Sequence, residues 1–335
     1  MIIPQPLLSI FALVAAAMVS AAITWAIRPL LLRHALAKPN PRSSHRVATP
    51  QGAGIAAIGA TLVVAGAIVA SADAVNSVIA IFAASLFMAI VGFADDIRSI
   101  PVLPRLILQA VAVSTVLFTV PGDIRIVSAA PLWIERSLLL LAGLWFVNLV
   151  NFMDGLDWMT VAEVVPITAT MAVLGWFGEF PPSATIVAAA LCGAMVGFAP
   201  FNRPVAKVFL GDVGSLPIGL LLGWCLLQLA YNQQIVAALL LPLYYLSDAT
   251  VTLLRRLARG EPFWAAHRSH FYQRATDNGF TVLRVVSEVL ALNIALAVLA
   301  VGSIMTQSVM VRTLFLIAGG LATALVMYRF SRRRR

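Results

Sequence analysis

Four groups of polar residues interrupt an otherwise apolar chain, and their types and spacing suit phosphate and metal chemistry. Asp95 and Asp96 end one apolar run, while Asn148, Asn151, Asp154 and Asp157 recur every three residues at the end of another. Phe209-Leu210-Gly211-Asp212-Val213-Gly214-Ser215 leads straight into a third run, and His267-Arg268-Ser269-His270 lies in a basic loop. Two carboxylates sit badly at the negative C-terminal end of a helix, which favours a bound cation over the alternative of a solvated helix end. Polar residues three apart are helix neighbours. Asn148 to Asp157 therefore read as a ridge entering the membrane, facing a wet cavity or packing helices through asparagine hydrogen bonds. Gly155 lets the backbone break there.

The glycines around Asp212 permit close approach of a ligand, and Ser215 can cap the following helix. A helix N-terminus attracts phosphate, and Asp212 can hold a divalent ion that bridges one; a plain glycine turn is the alternative. Phe209 offers an aromatic face to a base. The histidine pair lacks the adjacent glutamate of helical zinc proteases. With Arg268 and Arg274 beside it, phosphate contact fits better than zinc. Asp248 lies inside an apolar run, two turns before Arg255, where a carboxylate needs a partner or a cavity. Glu163 and Glu288 receive no role.

The elements that must position these groups are membrane helices. Of the 335 residues, 61% are hydrophobic and 11% charged, against roughly 25% charged in a soluble domain. Crossing the hydrocarbon core takes about 20 mostly apolar residues. About eleven such runs are present, near 7–27, 53–72, 76–94, 103–120, 132–150, 159–177, 184–200, 215–231, 234–254, 283–304 and 309–329. They are too long and too uniformly apolar for barrel strands. The expected fold is all-α, a polytopic helical bundle forming one domain over 1–335. Its site is expected on loops near 28–52, 95–102, 151–158, 201–214 and 255–282.

Arginine and lysine cluster after the first and ninth runs and at the C-terminus, with only Arg125, Arg136 and Arg312 on or near the other side. The positive-inside rule then puts the N-terminus outside, the C-terminus in the cytoplasm, and all four clusters on the cytoplasmic face. The net charge of +9 is accounted for by topology and anionic membrane lipids, and not by nucleic acid. No lysine or arginine precedes the first run, so a cleaved signal peptide is not expected. Cys192 and Cys225 fall mid-span and read as packing thiols.

Read together, the motifs resemble the polyprenyl-phosphate N-acetylhexosamine-1-phosphate transferases, an integral-membrane family. The resemblance runs from about residue 36 to 276. It covers Pro39-Asn40-x-Arg42-Ser43-Ser44-His45 with Thr49-Pro50, Asp95-Asp96, Asn151-x-x-Asp154-Gly155-x-Asp157, Asn202, the Phe209-to-Ser215 motif and His267-x-x-His270-x-Tyr272-Gln273-Arg274. It implies transfer of a sugar-1-phosphate from a UDP-N-acetylhexosamine to undecaprenyl phosphate with Mg2+ (or Mn2+), releasing UMP, in the bacterial inner membrane; a homodimer is compatible with it. On this resemblance Asp95, Asp96, His267 and His270 are catalytic and Asp212, with Asn151, holds the metal. Asn151, Asp154, Asp157, Asn202, Phe209, Gly211, Arg46 and Arg268 would bind substrate. His-x-x-His resembles the O-antigen-initiating branch, whereas the peptidoglycan branch has three histidines in a row. Ala37, Ala53 and Trp158 depart from the family pattern, Trp158 standing where a glycine is usual. The rival readings are a phospho-muramyl-pentapeptide transferase and, from another class, a secondary transporter, which would carry charges near the midplane in two symmetric halves.

Overall fold

The computed structural model describes residues 4–37, 48–71, 76, 78–262 and 267–333; Arg46 and the motif from Pro39 to His45 lie outside them. The chain is almost entirely helical, because an apolar segment in lipid must satisfy its own backbone. In order come α1 (Gln5–His34), α2 (Gly54–Ser71), α3 (Ile79–Ile97), α4 (Val102–Phe118), α5 (Leu132–Met153), α6 (Met159–Trp176), α7 (Pro182–Phe198) and α8 (Asp212–Tyr231). Then follow α9 (Ile235–Leu240), α10 (Leu243–Ala258), α11 (Phe271–Asp277), α12 (Val282–Ile304) and α13 (Val309–Phe330). Among the described residues, nine helices are long and apolar enough to cross a membrane. The other two of the eleven expected runs differ: α4 has 17 residues, and the run at 234–254 divides around Pro242 into α9 and α10. Proline lacks the N–H that would continue the helix and its ring clashes one turn back.

Burial ranks the helices by position. In α8, 83% of the apolar window is buried, against 11% in α13, so α8 is central and α13 peripheral. Small residues let backbones approach. Gly54 of α2 lies against Gly214 of α8, Gly92 of α3 against the Asp212 carbonyl, and Gly193 and Gly197 of α7 against the α1 backbone at Leu13 and Ala17. A short ribbon joins the ends of this core: β1 (Leu36–Ala37) pairs antiparallel with β2 (Thr49–Pro50), Leu36 opposite Pro50. Gln51 then bridges to Phe209.

Buried polar groups stitch helices together. Asn148 of α5 and Gln109 of α4 exchange side-chain hydrogen bonds, so Asn148 follows the packing alternative and leaves the ridge. Pro166 in α6 gives no N–H to the Ala162 carbonyl. Asn293 of α12 donates to that oxygen at 2.9 Å and to Glu163 at 2.7 Å. At the end of the bundle away from the clusters, Arg136 donates to the carbonyls of Leu117, Val120 and Pro121, just where α4 ends.

Candidate active site

The polar clusters converge on the ends of α3, α5 and α10 and the beginning of α8. Asp95 and Asp96 point differently, as adjacent helical residues must. Asp95 pairs with Arg105 in the first turn of α4 at 3.0 Å and accepts from the Ile100 amide. Its carboxyl also lies within hydrogen-bonding reach of the Asp212 carboxyl. Asp96 accepts from the backbone amides of Asp212 at 2.9 Å and Val213 at 3.1 Å, and from the Gln51 side chain. It therefore caps α8 from another helix.

This arrangement corrects two expectations. Gly211, at φ 77°, occupies the cap position, and α8 begins at Asp212; Ser215 lies one turn inside, where its hydroxyl accepts from Asn151 at 2.9 Å. The first amides of α8 are turned to Asp96, so a carboxylate of the protein stands where phosphate was expected. A Cβ at Gly211 would crowd Asp96 and Gln51, which fixes glycine there on steric grounds as well as by its left-handed backbone.

Asn151 donates to the Asp212 carboxylate at 2.8 Å. The amide nitrogen thus faces Asp212, and in this orientation Asn151 positions the carboxylate instead of ligating a metal beside it. Two neighbouring carboxyls share the end of the site, and among the described residues no group of three His, Cys, Asp or Glu side chains forms a ready metal cage. The Asp95–Asp212 pair nevertheless fits a magnesium ion, which binds through one or two carboxylates and otherwise keeps waters or substrate phosphates.

α5 ends at Met153, so Asp154 and Asp157 belong to a turn and not to a helical ridge. Asp154 accepts from Thr160. Burial raises its carboxyl to about 7, with the charges of Asp96 and Asp157 adding and the Thr160 bond opposing. Asp157 accepts from the Ala206 amide at 3.0 Å. The Asn202 side chain accepts from the Trp158 amide at 2.7 Å and donates to the Val208 carbonyl at 3.0 Å. Both expected pocket residues thus shape the loop before α8. Phe209 is half-buried, its amide donating to Pro50 at 2.7 Å and its carbonyl accepting from Gly52 and Ala53.

The histidine segment docks through Asp248. This fully buried carboxylate accepts from the amides of Phe271 at 3.0 Å and Tyr272 at 3.1 Å, and from Tyr244 and Thr252. It also holds His270 Nδ1 at 3.2 Å. Its partner is therefore the α11 end, and Arg255 instead lies over the Phe271 ring. His270 is 3% exposed, which leaves His267 as the accessible member of the pair. Burial first, then His270 and Arg256, lower the His267 imidazole to about 4, so it is neutral at pH 7. Arg268 is engaged with Asp277 at 3.1 Å and Thr276. Tyr272 donates to the Phe152 carbonyl at 3.0 Å, and a Cβ on Gly155 would strike its hydroxyl. Gly155 is thus the seat of α11 on the acidic turn.

Sequence reasoning missed Arg105, Gln51 and Thr160, which hold Asp95, Asp96 and Asp154 respectively. Arg105 had a usable signal, a lone cation inside an apolar run; Gln51 and Thr160 had none. Beside the polar site lies an apolar cavity of about 270 Å³ between α4, α5, α8, α9 and α10, lined among others by Phe146, Val147, Gly219, Gly223 and Ala230. Val147 and Gly219 are one helical turn from Asn151 and Ser215.

The sequence pattern of glycosyl transferase family 4 matches residues 78–230, a span holding every acidic residue of the site except Asp248. The decaprenyl-phosphate N-acetylglucosaminephosphotransferase of Mycobacterium tuberculosis is 29% identical over 164 residues, 42% of this chain and 40% of that protein. The phospho-N-acetylmuramoyl-pentapeptide-transferase of Shouchella clausii is 39% identical over 87 residues, 26% of each chain. That of Bartonella quintana is 28% identical over 174 residues, 47% of this chain and 48% of its own. The alignments thus span less than half the length of these relatives. The matched segment, 153 of the 335 residues, resembles glycosyl transferase family 4, and the membrane-helix fold and the carboxyl pair agree with that resemblance.

Proposed function

We propose that this chain moves a sugar-1-phosphate from a UDP-sugar to a polyprenyl phosphate at one face of a membrane, releasing UMP. The observation that carries the reading is the Asp95–Asp212 carboxyl pair, held by Arg105 and Asn151, with Asn151 one helical turn from the lining of an apolar cavity. A lipid phosphate must meet a soluble, doubly charged donor, and a polar site abutting an apolar chamber suits both. The lipid phosphate oxygen attacks the sugar-bearing phosphorus. The bond from that phosphorus to the bridging oxygen breaks, and UMP leaves with the electron pair. The lipid phosphate's second pKa is about 6, as for other phosphomonoesters, so it attacks as a dianion and no net proton moves.

Phosphoryl transfer depends chiefly on positioning and charge neutralisation. Mg2+ or Mn2+ held by Asp212 and Asp95 would supply that neutralisation. Arg105 keeps Asp95 oriented, Asp96 fixes the first turn of α8, and neutral His267 offers a hydrogen bond, not a charge, to sugar or diphosphate.

The finer reading takes undecaprenyl phosphate as acceptor and a UDP-N-acetylhexosamine as donor. It places the site at the cytoplasmic face of the bacterial inner membrane, at the first membrane step of O-antigen or related envelope polysaccharide. Support comes from the mycobacterial relative's name, the His-x-x-His spacing and the distribution of basic residues. The names of the other two relatives favour a muramyl-pentapeptide donor as the competing reading.

One assay tests all of this: purified protein, undecaprenyl phosphate and Mg2+ with a panel of UDP-N-acetylhexosamines and UDP-muramyl-pentapeptide, following UMP. The expected result is UMP from an N-acetylhexosamine donor, abolished by a chelator. UMP from the pentapeptide donor alone would move the chain to the competing reading, and no UMP from any donor would overturn the proposal.

A further inference from the structure

Trp158 is one of two non-glycine residues with positive φ among the described residues, at φ 64° and ψ 0°. A side chain in this left-handed region is strained, so its surroundings must hold it there. Its carbonyl accepts from the Ala162 amide of α6, and both of its donor groups run to one loop. The Trp158 amide donates to the Asn202 side chain at 2.7 Å, and the indole Nε1–H donates to the Ala199 carbonyl at 2.6 Å. The neighbouring Asp157 accepts from the Ala206 amide at 3.0 Å. Two consecutive residues of the acidic turn thus grip the 199–208 loop at its start, middle and end.

The loop also carries hydrogen bonds of its own before it reaches the site. Lys207 and Val208 donate to the Phe201 carbonyl, and Asn202 donates to Val208. Phe209, Gly211 and Asp212 follow immediately. Half-buried, the indole packs against the core and hydrogen-bonds a backbone carbonyl.

The geometry points to Trp158 as a positioning residue, a brace that sets the spacing between the Asp154–Asp157 turn and the loop presenting Phe209 and Asp212, and thereby tunes nucleotide-sugar binding. The binding half of this inference rests on the proposed transferase function; the bracing half does not. Trp158→Phe keeps aromatic bulk and removes one hydrogen bond. Trp158→Gly suits the backbone but removes the brace entirely.

With the full-length protein, UDP-N-acetylglucosamine as donor and undecaprenyl phosphate as acceptor, Trp158→Phe should raise KM for the donor about fivefold, the ratio expected from one hydrogen bond. Trp158→Gly should raise it further. In both, kcat stays within about twofold and KM for the lipid acceptor is unmoved, a split that global destabilisation would not give. Amide hydrogen exchange across 199–208 should quicken in both variants. A fall in kcat with donor KM unchanged, or donor KM unchanged in both variants, would overturn the proposal. If Trp158→Gly does not fold, Trp158→Phe decides by the same criteria. If the wild type releases no UMP, the transferase reading fails separately, and unchanged exchange at 199–208 would then refute the brace.

Discussion

Asp212 sits where the most is asked of a single side chain: its carboxyl meets Asp95, its oxygen takes the Asn151 amide, and its backbone is held by Asp96. Asp212→Asn should lower UMP release by about a hundredfold or more, the scale of losing one electrostatic stabiliser. Its thermal midpoint should hold or rise, since two facing carboxyls no longer repel. Asp96→Ala removes a cap, and such losses cost about 1 kcal/mol or more; thermal unfolding in detergent would show it, with activity falling because Asp212 is no longer fixed. Asp154 gives a pH signature. Its folded carboxyl titrates near 7, above the ordinary range, so between about pH 4 and 7 the folded state keeps a proton that the unfolded state has lost. Stability from this group is full at the acid end and declines as pH rises through that window. Asp154→Asn should flatten that part of a midpoint-against-pH curve. The residue types of this site were legible in the sequence; their assignments were not. Nothing in the pair Asp95-Asp96 says that one carboxylate meets Asp212 while the next caps α8, because that depends on how α3 crosses α8.

The helices themselves were readable from length and hydropathy, since lipid permits few alternatives. Less legible were the places where an element stops. Pro242 divides one expected span, and Met153 ends α5 before Asp154, so a spacing of three described a helix for Asn148 and Asn151 and a turn thereafter. The crossing of α3 over α8 depends on Gly92, where a Cβ would collide with the Asp212 carbonyl. Gly92→Ala should cost about 1–3 kcal/mol, as overpacking does, and should impair activity more than a similar change at Gly59, where a Cβ meets open space. Asp248 is the corresponding fixture for α11. Asp248→Ala strands buried groups on five partners, at about 3–5 kcal/mol, comparable to breaking a buried charged pair. Faster amide exchange at 270–277 would report the undocking.

At the scale of the molecule, the proposed function would divide the work between the polar site, for a water-soluble donor, and the apolar cavity, for a lipid acceptor. Ala230→Phe would place a ring into the 270 Å³ cavity. It should raise KM for a polyprenyl phosphate several-fold while leaving KM for the UDP-sugar alone, the reverse of the Trp158 pattern. The family-matched segment ends at residue 230, yet α6 inside it is completed from outside. Pro166 leaves the Ala162 carbonyl open, and Asn293, 131 residues further along, closes it while also engaging Glu163. Synthesis runs at about 5–20 residues per second, so roughly ten seconds pass between the emergence of α6 and that of α12. Throughout that interval a carbonyl and a carboxyl in lipid lack their native donor, so α6 reaches its final state only after α12 has been made. Maturation of the bundle is therefore ordered in time, with a later helix releasing an earlier one into its finished form.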